Sequence, residues 1–163
     1  MNYTVFNAPI GELYILEKDR VIIEVLFDDE PFLAKQRTSE INKEETPVLI
    51  EAKRQLAEYF NRERKIFTLP LKQEGSPFQK QVWEALSTIP YGESKSYADI
   101  AEAIGNPKAV RAIGQANRRN ALPIFIPCHR VIGKDRSLTG YAGSKTDMKA
   151  VLLELEGIPF IKK

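Results

Sequence analysis

The 163-residue chain has one cysteine, one histidine, one tryptophan and two methionines. A single cysteine cannot close an internal disulfide. With one histidine beside it, the chain cannot supply the nitrogen and sulfur ligands of a structural zinc. No metal or other cofactor is therefore expected, and a reducing, cytoplasmic address is. Long apolar runs are missing too: nothing approaches the ~18 residues of a membrane span. The N-terminal stretch MNYTVFNAPIGELY also lacks the basic region and apolar core of a secretory signal. Net charge is only +2, but it is unevenly spread. Residues 1–75 carry 11 basic against 14 acidic side chains, and residues 76–163 carry 13 against 8. No acid occurs from Ala103 to Lys134, where Lys108, Arg111, Arg118, Arg119, Arg130 and Lys134 supply positive charge. A short basic run is usually a solvated face, whereas an acid-free block of this length points to a polyanion such as nucleic acid.

What is present divides the chain near Gly75. Before it, YTVFN, GELYILE and RVIIEVLF are rich in β-branched and aromatic residues and are separated by turn-like APIG and EKDR, which predicts an antiparallel meander. A polar stretch, DDEPFLAKQRTSEINKEE, follows. TPVLIEAKRQLAEYFN then reads as a helix capped by Thr46 and opened by Pro47, and RERKIFTLPLKQEG as a short strand and a linker. Residues 1–75 are thus expected to form an α/β domain of a small antiparallel sheet plus helix. Residues 76–163 are expected to form a mainly helical domain. A Ser76–Gln79 capping box opens its first helix. SYADIAEAIG is a short helix with Ser96 and Asp99 as capping pair and Gly105 as terminator, and NPKAVRAIGQANRRN is another, with Asn106 as cap and Pro107 in the first turn. Two short helices joined by Gly-Asn-Pro fit a helix-turn-helix of winged-helix-like type. A last helix runs from about Thr146 to Glu156, with Met148, Val151, Leu152 and Leu155 as its apolar stripe and Gly157 as its end. In the second of the paired helices, Ala109, Ala112 and Gly114 are small enough to admit a nucleic-acid groove, and equally small enough to admit a neighbouring helix.

The lone cysteine and histidine are neighbours, Cys128 and His129, in FIPCHRVIG. Isolated cysteines are more often small buried hydrophobes than nucleophiles. Here the pair emerges from an apolar, proline-bounded segment, and a thiol needs a base or positive surroundings to react near neutrality. His129 is the one imidazole available, and Arg130 adds positive potential. In an extended segment adjacent side chains point apart, so either the chain bends at the pair or a water relays the proton. The histidine needs an acceptor to fix its tautomer. Glu156, four residues after Leu152 on the side expected to be buried, is the better candidate, and Glu154 the alternative.

The order NPKAVRAIGQANRRN, PCHRVIG, GYAG, LLELEG, preceded by FQKQVWEALSTIPYGESKSYADIAEAIG, resembles the O6-alkylguanine-DNA alkyltransferases, also called methylated-DNA–protein-cysteine methyltransferases, across residues 76–163. The resemblance implies a DNA repair protein that carries an alkyl group from O6-alkylguanine irreversibly to Cys128, once per molecule, after flipping the base; activity on O4-alkylthymine is left open. It implies His129 as water-mediated base, Glu156 as its acceptor, and Asn120 as a polar brace before the reactive segment. Arg111 would fill the gap in the base stack, and Tyr97 would crowd the target's phosphate and hydrogen-bond the base. Ala109, Ala112 and Gly114 would lie in the minor groove of double-stranded DNA. Carbonyls near Cys128 and Val131, together with Tyr141 and the backbone at Ala142, would recognise guanine. A monomer with no membrane partner is expected.

Three departures stand out. Ala142 occupies a position that is serine in some members, Asn117 one that is apolar in some, and GSKTD lengthens the approach to the last helix. Three other readings compete. A non-catalytic reader of alkylated DNA would lack Cys128. A helix-turn-helix regulator would need polar base-reading side chains where alanine and glycine stand. A cysteine hydrolase would separate its cysteine from its histidine in sequence and need an oxyanion site.

Overall fold

The computed structural model describes residues 1–138 and 146–161, and the chain divides into two compact units, Met1–Gln73 and Glu74–Lys163. The first is a small sheet with helices. Strands β1 (Asn2–Ala8), β2 (Gly11–Lys18) and β3 (Val21–Phe27) form the antiparallel meander in the order β3-β2-β1. β2 shows no inside–outside alternation, because Leu13 to Glu17 are all buried, as befits a strand covered on both faces. On one face Tyr14 and Leu16 cluster with Phe32 of helix α1 (Asp29–Thr38), the Tyr14 and Phe32 rings stacking at 4.4 Å. Helix α2 (Pro47–Phe60) packs on the sheet and buries Leu49, Ala52, Leu56 and Tyr59. It starts where the sequence predicts: the Thr46 hydroxyl accepts from Leu49 N, and Pro47 fills the first turn.

Two expectations for this unit are corrected. The polar stretch after β3 holds α1 and a fourth, two-residue strand, β4 (Asn42–Lys43), parallel to β1. The predicted strand after α2 is a single bridge: Leu71 pairs with Ile22, flanked by Ile22 N–H to Pro70 O at 2.9 Å and Lys72 N–H to Ile22 O at 3.0 Å. Pro70 lacks the N–H that a longer ladder needs there.

The second unit is mainly helical: α3 (Pro77–Ser87), α4 (Tyr97–Ala103), α5 (Val110–Arg118) and α6 (Thr146–Glu156). Complete capping boxes start α3, from Ser76 and Gln79, and α4, from Ser96 and Asp99. The Trp83 indole of α3 donates to Ala116 O of α5 at 2.9 Å, which ties the two helices through a buried polar contact. Strand β5 (Lys95–Ser96) pairs in parallel with β6 (Val131–Ile132). This ladder fixes the start of α4, and so Tyr97, against the segment that follows Cys128. Among the described residues no helix is long and apolar enough to cross a membrane.

Here too there are corrections. α5 starts at Val110, not at Pro107, because residues 106–109 close a turn with Ala109 N–H bonded to Asn106 O at 3.0 Å. The buried side of α6 is Lys149, Ala150, Leu152, Leu153 and Glu156. Val151 is exposed and Leu155 half-buried, so the helix is rotated from its predicted stripe.

Candidate active site

The chain bends at the cysteine. Residues 122–127 form a tight buried loop in which Ile124 takes φ 75°, a backbone conformation that β-branched residues rarely adopt. After Pro127, Cys128–Arg130 make one 3-10 turn. Cys128, His129 and Arg130 are all buried, the histidine completely. His129 Nε2 lies 2.6 Å from Glu156 Oε2, Arg130 Nε donates to Oε1 at 2.8 Å, and Arg130 Nη2 donates to Oε2 at 3.3 Å. A fourth donor is the backbone N–H of Gly92, 3.2 Å from Oε1. Gly92 takes φ 83°, left-handed geometry that glycine adopts without strain and that lets the turn aim this N–H at the carboxylate. Arg130 Nη1 donates to Ile89 O at 2.6 Å, and its guanidinium lies 5.8 Å from the centre of the Tyr91 ring. Glu154 is exposed.

These contacts set the charges. Burial alone would raise the Glu156 carboxyl, but hydrogen bonds and charge from His129 and Arg130 outweigh it and hold the group at about 2. Burial lowers the His129 imidazole, against the pull of Glu156. An ionised Glu156 only accepts hydrogen bonds, so His129 Nε2 carries the hydrogen and a neutral ring keeps its basic lone pair on Nδ1. Burial pushes the Cys128 thiol up to about 11, while a hydrogen bond from Asn120 and the charge of Lys149 pull it back. Lys149 is wholly buried, donates to Val131 O at 2.5 Å, and is lowered to about 8 by its own burial.

The other sequence-predicted residues fall as follows. Asn120 is buried, donates to Ile126 O at 3.0 Å and accepts from Leu122 N at 3.1 Å, bracing the loop before Cys128. Tyr97 is half-buried at the first position of α4, and Arg111 is exposed near the start of α5. Ala109, Ala112 and Gly114 are half-buried, and Val131 is buried. Of the acid-free block, Lys108, Arg111, Arg118, Arg119 and Lys134 are exposed, whereas Arg130 is spent on Glu156 and leaves the basic surface. Tyr141 and Ala142 lie outside the described residues.

Sequence reasoning misses four contributors: Arg130 as a partner of Glu156, the Gly92 amide, Lys149, and Asn117, whose Nδ2 donates to Cys128 O at 3.4 Å. Only Lys149 leaves a usable signal, since it stands seven residues before Glu156 and so on the same helix face.

Comparison with known proteins bears on both units. The family model described as 6-O-methylguanine DNA methyltransferase, DNA binding domain, matches residues 77–158, and the one described as its ribonuclease-like domain matches residues 1–73. The constitutive methylated-DNA–protein-cysteine methyltransferase of Bacillus subtilis is 57% identical over 162 residues, covering 99% of this chain and 98% of that one. A Haemophilus influenzae methylated-DNA–protein-cysteine methyltransferase is 42% identical, covering 99% and 89%. Mycobacterium tuberculosis OGT, solved in complex with DNA, superposes with a TM-score of 0.85 at 39% identity, over 96% of this chain and 93% of that one. With both units matched and more than half of all positions shared with the Bacillus subtilis protein, the chain belongs to the methylated-DNA–protein-cysteine methyltransferase family.

Proposed function

We propose that this protein repairs DNA by taking the alkyl group of O6-alkylguanine onto Cys128 Sγ, once per molecule. The observation that carries the reading is the buried thiol beside a histidine whose tautomer is fixed by an ionised glutamate. The thiolate attacks the alkyl carbon in line, an S–C bond forms and the C–O6 bond breaks. The electron pair goes to the purine, which regains a proton on its ring. The thiol's proton leaves towards Nδ1 of His129 through a water, while Glu156 holds the imidazole and stabilises its charged form. Asn120 and Lys149 favour the thiolate over the thiol. The product is a thioether. With no second cysteine to take the group on, the protein is consumed.

A thiol this deeply buried meets a base only if the base leaves the helix and enters the protein, at a cost of a few kcal/mol. In our reading α4 and α5 are a helix-turn-helix of winged-helix-like type, with the turn at Gly105, and α5 enters the minor groove. Internal packing does not demand glycine at 114, since a Cβ there would lie 3.9 Å from the Tyr97 ring, in ordinary contact. A small residue is better explained by an approaching backbone. Ala109 and Ala112 share that role, exposed Arg111 fills the vacated stack, and Tyr97 holds the base. The units predicted at 1–75 and 76–163 act as support and as transferase.

The test is the intact mass before and after incubation with duplex DNA containing O6-methylguanine. One CH2 is gained per molecule, and Cys128→Ala gains none while still binding the DNA. Repeated turnover, or a methyl group on another residue, overturns the proposal.

A further inference from the structure

Asn117 is the departure that the reaction above leaves without a role. It lies on the inner face of α5 and is 3% exposed. Its orientation follows from chemistry, because a carbonyl only accepts and the group facing Cys128 O must therefore be the amide nitrogen. That leaves Oδ1 on the other branch, buried and with no hydrogen-bond partner among the described residues. Buried acceptors are nearly always satisfied, and the exceptions call for an explanation. One turn earlier on α5 stands Gly114, where an added Cβ would lie 3.9 Å from the Tyr97 ring. The orphan oxygen thus belongs to a side chain that bonds the backbone of the residue proposed to attack and stands one turn from a glycine beside the residue proposed to hold the base.

The chemistry of the lesion supplies the complement. Alkylation at O6 removes the hydrogen from N1 of guanine, so the exocyclic amine at C2 is the one hydrogen-bond donor left on the base. O4-alkylthymine has lost the hydrogen at N3 and has no donor at all. Both backbone carbonyls assigned to guanine by the resemblance already accept a side-chain donor: Cys128 O from Asn117 Nδ2, and Val131 O from Lys149 Nζ at 2.5 Å. Each of these carbonyls keeps a second lone pair for a further donor, whereas Asn117 Oδ1 is an acceptor with no donor at all among the described residues.

Resting on the alkyl-transfer reading, we propose that Asn117 is a specificity-determining residue: its Oδ1 accepts from the C2 amine of the flipped O6-alkylguanine and sets the preference for alkylguanine over lesions without that donor. A site built around a hydrogen bond discriminates against an analogue that lacks the group, because its own polar atom is then left buried and unpaired.

The experiment measures second-order rates of methyl transfer, by intact mass, from three duplexes. They carry O6-methylguanine, O6-methylhypoxanthine (the same base with hydrogen for the amine) and O4-methylthymine. Wild-type protein is expected to prefer O6-methylguanine to the hypoxanthine analogue by about tenfold or more. Asn117→Leu, close in size and without polar atoms, is expected to lose about tenfold on O6-methylguanine and less than about twofold on the other two lesions. Asn117→Ala, which adds no bulk, checks the result should the leucine variant fold poorly. Equal losses on all three duplexes would reduce Asn117 to a brace for Cys128 and overturn the proposal, as would a wild type indifferent to the amine. A wild type that accepts methyl from none of them overturns the transfer reading itself, a different outcome from transfer without discrimination.

Discussion

On the outer flank of α2, Glu58 accepts from Arg54 Nη1 at 3.1 Å and from Arg64 Nε at 2.8 Å. At the Cys128 turn, Glu156 accepts from His129 Nε2 at 2.6 Å and from Arg130 Nε at 2.8 Å. The distances are nearly the same and the surroundings are not. Arg54 and Glu58 are 53% and 32% exposed, while the side chains of His129 and Glu156 are wholly buried. In the first cluster water and salt compete for every charge, and the pairs contribute little beyond local helix order. In the second the side chains are shielded from bulk solvent, so each donor is needed. Removing one partner there leaves an uncompensated buried group. Geometry alone does not separate a solvated ion pair from a chemical one; burial and the number of converging donors do.

The largest effect therefore lies at Glu156. Glu156→Gln is expected to cost about 3–5 kcal/mol in urea unfolding, because Arg130 keeps its buried charge and loses the carboxylate. Methyl transfer is expected to slow by about 100-fold or more as His129 loses its anchor. The pH dependence carries a sign. The folded carboxyl sits at about 2 against an ordinary 4.5, so its contribution to stability is complete above about pH 4.5 and drains away as the pH falls towards 2. Acid titration of wild type and variant should differ in slope across that window, and parallel curves would mean that the buried carboxylate is not what links stability to pH.

Lys149 comes next, since it is buried like Glu156 but faces a carbonyl and the cysteine. Its ammonium is lowered to about 8 from 10.5. Between those values the unfolded state binds the extra proton, so the cost of burying the charge fades as the pH rises through that range. Lys149→Met keeps the length without the charge. It is expected to be at least as stable as wild type near neutral pH and to transfer methyl about tenfold more slowly, with the pH–rate profile displaced upward because the thiolate has lost its counter-charge. A slower variant with an unmoved profile would assign Lys149 to holding Val131 O alone.

Where the sequence is legible follows the same contrast between local and converging interactions. α2, α3 and α4 announce themselves because their caps are written within four residues: Thr46 and Pro47, Ser76 and Gln79, Ser96 and Asp99. α1 does not, because it is polar nearly throughout and takes its place from one ring, Phe32, meeting Tyr14 across the chain. α5 starts late because Asn106 and Pro107, a good local start signal, are used in a turn. In α6 the apolar residues alone suggest one face. The observed face is turned to bury Lys149 and Glu156, whose partners Val131 O, His129, Arg130 and Gly92 come from elsewhere in the chain. Glu156 is readable as buried from its spacing to Leu152. That Arg130 belongs with it and not on the basic surface is not readable, since no local pattern distinguishes a buried arginine from an exposed one.

The smallest effect closes the comparison from its other side. Glu58→Gln removes a carboxylate that bonds two basic side chains, as Glu156 does, yet is expected to cost less than about 1 kcal/mol. Arg54 keeps Glu51 as a partner, Arg64 keeps its bond to Ile66 O, and water takes up the rest. Because the Debye length falls to about 3 Å at 1 M salt, even that small cost should shrink there. The cost of Glu156→Gln should hardly change with salt, since its charges are shielded from solvent ions. Urea unfolding of both variants at low and high salt puts the two clusters on one scale. A Glu58 cost that rivals that of Glu156, or a Glu156 cost that falls with salt in the same proportion, would break the argument that burial divides them.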